Sequence, residues 1–176
     1  MNNKSKKCKV CKESFEPTKP LQVVCSYVCG LHYSRGVMHK ENKKKKAETK
    51  EKLKTKSQHL KELQVIFNKY IRLRDAEEPC ISCGIKIIGT SHASHFFSVG
   101  STPGLRFDEN NVHASCEKCN LHLHGNQFEY SIRLPDRIGV ESFNELVQKK
   151  GQKLMLSIPE IDNLKNVYKH KIKILS

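Results

Sequence analysis

No apolar run in this chain approaches the ~20 residues needed to cross a bilayer, and its lysine-rich start is not followed by the apolar stretch of a secretory signal. Both absences exclude a helical membrane span and point to a soluble, cytoplasmic protein. Hydrophobic residues make up only 37% of 176 positions, which is thin for one well-filled core. Some other staple is therefore expected. Acidic residues are also scarce, with 18 Asp and Glu against 32 Lys and Arg and a formal charge of +14. There is no heptad pattern, and no internal repeat beyond a loose likeness between two sets of cysteines.

The cysteines supply the staple. Cys8, Cys11, Cys25, Cys29, Cys80, Cys83, Cys116 and Cys119 fall into four close pairs, three of C-x2-C and one of C-x3-C, with none left over. Two thiolates two residues apart on a tight turn can both reach one tetrahedral zinc, whereas disulfides do not persist in a reducing cytosol. Two structural Zn²⁺ sites, each with four cysteines, are the reading. A disulfide framework or buried free thiols would not call for four close pairs.

The excess charge is uneven. Residues 1–79 carry 20 Lys and Arg against 9 Asp and Glu, and residues 80–176 carry 12 against 9. A basic half of this kind suits a polyanion, because each cation near a phosphate releases counterions. Lys43, Lys44, Lys45 and Lys46 are the densest run, and Lys4, Lys6, Lys7, Lys9 and Lys12 surround the first cysteine pair. They are candidate DNA contacts, and a solvated linker is the plainer alternative for the run.

Three parts follow: a four-cysteine zinc module over 1–33, a basic helical linker over 34–78, and a second zinc-stapled domain over 79–176. In the first, "LQVV" at 21–24 is expected to form a strand. The linker contains no proline and is rich in helix formers, and Leu60, Leu63, Phe67, Tyr70 and Ile71 recur at helical spacing as a stripe that should dock on the domain after it. In the third part, "IKIIGTSHASHFFSVG" reads as a strand or hairpin and "NNVHAS" as a short strand. A helix is expected over 117–124, another across "GVESFNELVQKK", and a longer one after Ser157, where Ser157 and Glu160 fit a capping box.

Five of the nine histidines lie between residues 90 and 126, three of them between the second pair of cysteine knuckles and two just after the last cysteine. A zinc-held ββα unit can set a histidine on a strand against a polar residue on a helix, with room for a divalent cation and a phosphate. The fold class expected is thus α+β, small and zinc-stapled.

The stretches "FNKYIRLRDAEEPCISCG", "SHFFSVGSTPGLRFDENNVHASCEKCN" and "EYSIRLPDRIG", in this order, resemble the NinG/Rap family of phage recombination proteins, and the second domain resembles a treble-clef HNH (ββα-metal) endonuclease. With the N-terminal cysteines included, the resemblance covers nearly the whole chain. It implies a nuclease acting on branched double-stranded DNA, including Holliday junctions and strand-invasion intermediates, alongside other recombination proteins. It also implies roles: His95 as general base, Asn111 as the asparagine that supports the hairpin, and Asn120 as ligand of a catalytic Mg²⁺ or Mn²⁺. A neutral imidazole suits proton abstraction near working pH, and an amide oxygen is a hard ligand acceptable to Mg²⁺.

The chain departs from this pattern twice. The wider HNH group has an acidic metal ligand shortly before the base, where this chain has His92, which favours a softer ion such as Mn²⁺, Ni²⁺ or Zn²⁺. Leu123 stands where a basic residue is usual, leaving His122 or His124 to contact phosphate. On a regular helix His124 would share a face with Asn120 and join the candidate metal ligands, while His122 would point about 200° away from it. His113, among strand residues, reads as structural, and Arg106 as a phosphate ligand. Two symmetric cuts would suit a homodimer. A non-catalytic, zinc-stapled DNA-binding scaffold is the alternative function.

Overall fold

The structure, a computed structural model, describes residues 5–176, and at positions 47, 50 and 52 the backbone only. Lys4 lies outside the described residues. The chain divides into two units, Met1–Lys54 and Thr55–Ser176. The helical stretch between the cysteine-rich parts divides with it.

In the first unit, β1 (Lys6–Lys7) and β2 (Ser14–Phe15) pair antiparallel across the first knuckle. Helix α1 (Tyr27–Lys52) follows directly, with the Ser26 side chain accepting the Cys29 N–H at its N-terminus. The last cysteine of the module thus sits in the first turn of a helix. The expected strand at 21–24 does not form. Leu21 has φ 64°, and the Gln22 side chain accepts the Thr18 and Lys19 N–H groups and donates to the Val24 carbonyl, so this segment satisfies its backbone by folding on itself.

The second unit opens on Thr55, whose hydroxyl and Gln58 form a reciprocal capping box for α2 (Lys56–Arg74). Strands β3 (Ser91–His95) and β4 (Val112–Cys116) pair antiparallel, with Ser94 opposite His113 and His95 opposite Val112. Three helices complete the unit: α3 (Gln127–Ile138), α4 (Val140–Gln148) and α5 (Ile158–Leu175), the last with the Ser157/Glu160 capping box. No helix among the described residues is long and apolar enough to cross a membrane.

Side chains alternate across a strand, so this hairpin has two faces with different tasks. Ala93, His95, Val112 and Ala114 share one; Ala93 and Val112 pack there on the α2 stripe Leu63, Phe67, Tyr70 and Ile71 and on Ile161 and Tyr168 of α5. His92, Ser94, His113 and Ser115 share the other, which meets Tyr130 of α3. A second core of Ile81, Leu105, Tyr130, Leu134 and Leu146 forms around α3 and α4.

The strand or hairpin expected over 85–100 is a single strand confined to Ser91–His95. Before it the chain is irregular, with Gly89 at φ 87° and Ile88 93% exposed, and the Ile85 carbonyl is taken by the Cys80 N–H of the knuckle instead of a strand partner. The helix expected over 117–124 is also replaced. Lys118–His122 form one π turn, and His124, Gly125 and Asn126 then follow at φ 50°, 91° and 46°. Three successive left-handed residues end the turn, with the Gly125 N–H on the Cys119 carbonyl.

Candidate functional site

The two cysteine clusters are built on the same knuckle. In each, the first cysteine donates its N–H to the carbonyl five residues on (Cys8 to Glu13, 2.8 Å; Cys80 to Ile85, 2.9 Å), and its own carbonyl accepts the N–H of the residue four on. That fourth residue is left-handed in both, Lys12 at φ 68° and Gly84 at φ 73°. A backbone N–H from the opposite pair also reaches the first sulfur, Cys25 to Cys8 at 3.4 Å and Cys116 to Cys80 at 3.3 Å.

All four sulfurs of each cluster lie within 4.8 Å of one another. The separations Cys11–Cys25 (3.5 Å), Cys25–Cys29 (3.7 Å) and Cys83–Cys116 (3.9 Å) match the ~3.8 Å edge of a tetrahedron with ~2.3 Å Zn–S bonds. The donor sets fit zinc. Burial raises the Cys80 thiol pKa, but N–H groups of Cys83, Cys116 and Ser82 outweigh it and the net shift is downward, toward the thiolate a metal needs.

Asn120 follows Cys119 directly, so the second cluster fixes its position. Its Oδ1 accepts the Ser94 hydroxyl at 2.5 Å, and Ser94 and Ser115 share a further hydrogen bond at 2.5 Å, both serines being buried. Neither serine stood out in the sequence, because only the strand register brings them to Asn120. His92 lies on this same face of the hairpin. His95 lies on the other, and its Nε2 meets the Arg106 carbonyl at 3.0 Å. A carbonyl only accepts, so Nε2 carries the proton and Nδ1 keeps the lone pair. Burial, with a further contribution from the Arg106 charge, lowers the His95 pKa below the ordinary histidine value.

Asn111 is fully buried and ties together the loop between the strands. Its Oδ1 accepts the Phe97 N–H at 2.7 Å, and its Nδ2 donates to the carbonyls of Phe97 and Leu105, both at 3.0 Å. Asn111→Ala should therefore strand one buried donor and two acceptors. The expected loss is about 3 kcal/mol of stability in urea unfolding, and a change under about 0.5 kcal/mol would reject the tie.

The remaining candidates separate. His113 is buried with Nδ1 3.2 Å from the Tyr130 hydroxyl, which itself donates to the Ser94 carbonyl; burial drives its pKa to about 3, so it is a structural histidine. His122 and His124 are exposed. Since the regular helix is absent, the shared face expected for Asn120 and His124 does not exist. Arg106 is half-buried, with Nε on Gln64 at 2.7 Å and its guanidinium over the Phe107 ring. Lys43, Lys44, Lys45 and Lys46 are exposed on α1. Among the described residues, only the two cysteine clusters gather three or more His, Cys, Asp or Glu donors at ligating distance.

Comparison with known proteins places this arrangement. A family model described as "Bacteriophage Lambda NinG protein" matches residues 1–176. The chain belongs to the NinG family. Protein ninG of Escherichia phage 933W is 33% identical, covering 96% of this chain and 92% of that protein. Protein ninG of Escherichia phage lambda is also 33% identical (93% and 88% covered), and that of Salmonella phage P22 is 32% identical (93% and 89%). No solved structure gives a significant match. The family match spans both cysteine clusters and the hairpin with its two asparagines, so NinG membership applies to the whole apparatus described above.

Proposed function

We propose that this chain is a metal-dependent, structure-selective endonuclease of the HNH type that cuts branched DNA in phage recombination. The observation that carries the reading is the placement of His95, Asn111 and Asn120 on one zinc-anchored hairpin and turn, in HNH order. His95 offers an unprotonated Nδ1, with Nε2 oriented by the Arg106 carbonyl. Asn111 holds the loop that follows His95, and Ser94 holds the amide of Asn120.

His95 and Asn120 flank the end of β3 from opposite faces. In-line displacement needs the attacking and leaving oxygens on opposite sides of phosphorus, so a phosphate lying across the strand end would meet the base on one side and the amide on the other. Asn120 and His92 would offer an amide oxygen and an imidazole nitrogen, a set suited to a cation held mainly by water and phosphate oxygens. When bound, such a cation stabilises charge on the leaving oxygen.

A second reading, a zinc-stapled DNA-binding scaffold without catalysis, is favoured by one observation: among the described residues no group of three or more His, Cys, Asp or Glu donors forms outside the two cysteine clusters. One experiment separates the two. Full-length protein is incubated with a synthetic four-way junction or a matched linear duplex, with Mg²⁺, with Mn²⁺, or with neither. Junction-selective, cation-dependent cutting is expected. Binding without cutting in any cation selects the scaffold, and two copies bound per junction by sedimentation would accord with paired cuts.

Both readings use the basic helix. Replacing Lys43, Lys44, Lys45 and Lys46 by Gln removes up to four phosphate contacts, so the slope of log affinity against log salt should flatten by about three and binding should weaken at least tenfold at low salt. An unchanged slope would make the run a solvated linker.

A further inference from the structure

Six residues past the π turn that carries Asn120, a large aromatic side chain projects into solvent. Phe128 is 75% exposed, and Leu121 and Leu123, on the turn itself, are 51% and 46% exposed. None of the three belongs to either core cluster of the second unit. On α3 the inward residues are Tyr130 and Leu134, and Phe128 lies about 140° around the helix from the line they set.

The patch is fixed to the candidate site. The Gln127 side chain donates to the His95 carbonyl at 3.2 Å, the Asn126 N–H donates to the Leu123 carbonyl at 2.8 Å, and the Asn126 amide reaches the Cys119 sulfur. Phe128 is therefore held one residue from a side chain that touches the backbone of His95. Its polar surroundings are mixed: Lys118, His122 and His124 are exposed around the turn, Glu117 is exposed beside Lys118, and Glu129 is paired with Arg133.

We infer that Phe128, flanked by Leu121 and Leu123, is a wedge that stacks on a base exposed where DNA strands branch. Exposed apolar side chains on a chain of formal charge +14 suit a polyanion that also offers flat apolar faces, and unstacked bases are such faces. A fully paired duplex hides them, so the wedge would supply preference for branches while the cations supply affinity for any DNA. This inference rests on the branched-DNA reading above and names the group that would read the branch.

The test uses full-length protein without added divalent cation, so that binding is measured apart from cutting. A four-way junction carrying 2-aminopurine at the branch point is compared with a linear duplex. Wild-type protein should brighten the probe and prefer the junction; Phe128→Ala should lose the brightening and about tenfold of the preference, keep its duplex affinity and unfold at the wild-type temperature. Phe128→Trp should restore both signals. If wild type prefers the junction and Phe128→Ala does so equally, the wedge is overturned and the branched-DNA reading stands. If wild type binds both DNAs alike, both fall. If Phe128→Ala alters only self-association in sedimentation, the patch is a protein interface and the proposal is overturned.

Discussion

His95→Ala is expected to bind a four-way junction within about threefold of wild type and to cut it at least ~10² more slowly, the range general-base removal typically costs. Binding should survive because the ring's polar contact is internal, to the Arg106 carbonyl, and the charge that attracts DNA is elsewhere. Cutting should not survive, because no other histidine takes this place: His92 projects from the opposite face, and His113 is locked against Tyr130. The pH profile gives a second check. With its pKa lowered by burial, His95 stays unprotonated below the ordinary histidine value, so the acid limb of the rate should fall below about pH 6.5. Wild-type rates in His95→Ala, or a limb set above that value, would remove His95 from the chemistry.

The same shifts act on stability. His95 and His113 both have folded pKa values below their unfolded ones, so the unfolded chain binds more protons as pH drops, and the stability present above about pH 6.5 is lost on acidification. For His113, shifted to about 3, that loss continues down toward pH 3. A fall in cutting near pH 6 must therefore be compared with unfolding at the same pH. Only the rate component should vanish in His95→Ala.

Local and periodic signals were readable from residue order alone. The apolar stripe on α2 is at helical spacing, the Ser157/Glu160 box spans four residues, and each knuckle is defined by two cysteines; all depend on near neighbours. What escaped depends on partners far along the chain or on unusual backbone. Ser94 and Ser115 are 21 residues apart, and only the register of β3 and β4 brings their hydroxyls to Asn120. The helix read over 117–124 failed because three left-handed residues stop it after one π turn. Helix α3 carries Pro135 inside it, which conceals a stretch whose Tyr130 and Leu134 are fully buried. Helix α1 begins two residues before Cys29, so the basic helix starts inside the first cysteine module.

Loss of the second zinc is expected to unfold the second unit altogether. Cys80 and Cys119 are almost fully buried, and their cluster joins three segments: the loop after α2, the end of β4 and the turn that carries Asn120. The Ile81 N–H pairs with the Ala114 carbonyl, and the Cys116 N–H with the Cys80 sulfur, so the knuckle continues the hairpin's own hydrogen bonding. Structural zinc in small peptides contributes an apparent ~10–16 kcal/mol, as large as the whole stability of a typical domain, ~5–15 kcal/mol. Without the ion, one buried thiolate too many or one sulfur too few has no partner to balance it. Wild-type protein should accordingly carry about two zinc ions per chain, and Cys80→Ser about one, with loss of the cooperative transition of Thr55–Ser176 in circular dichroism and hydrogen exchange. Cys11→Ser should also carry one, but keep that transition, because Cys11 is exposed and belongs to the other unit. Cys80→Ser should bind the four-way junction through α1 alone and never cut it. Protein that holds eight reactive thiols, no zinc and an unchanged transition would show that the clusters are not metal centres, and the position of Asn120 would then need another cause.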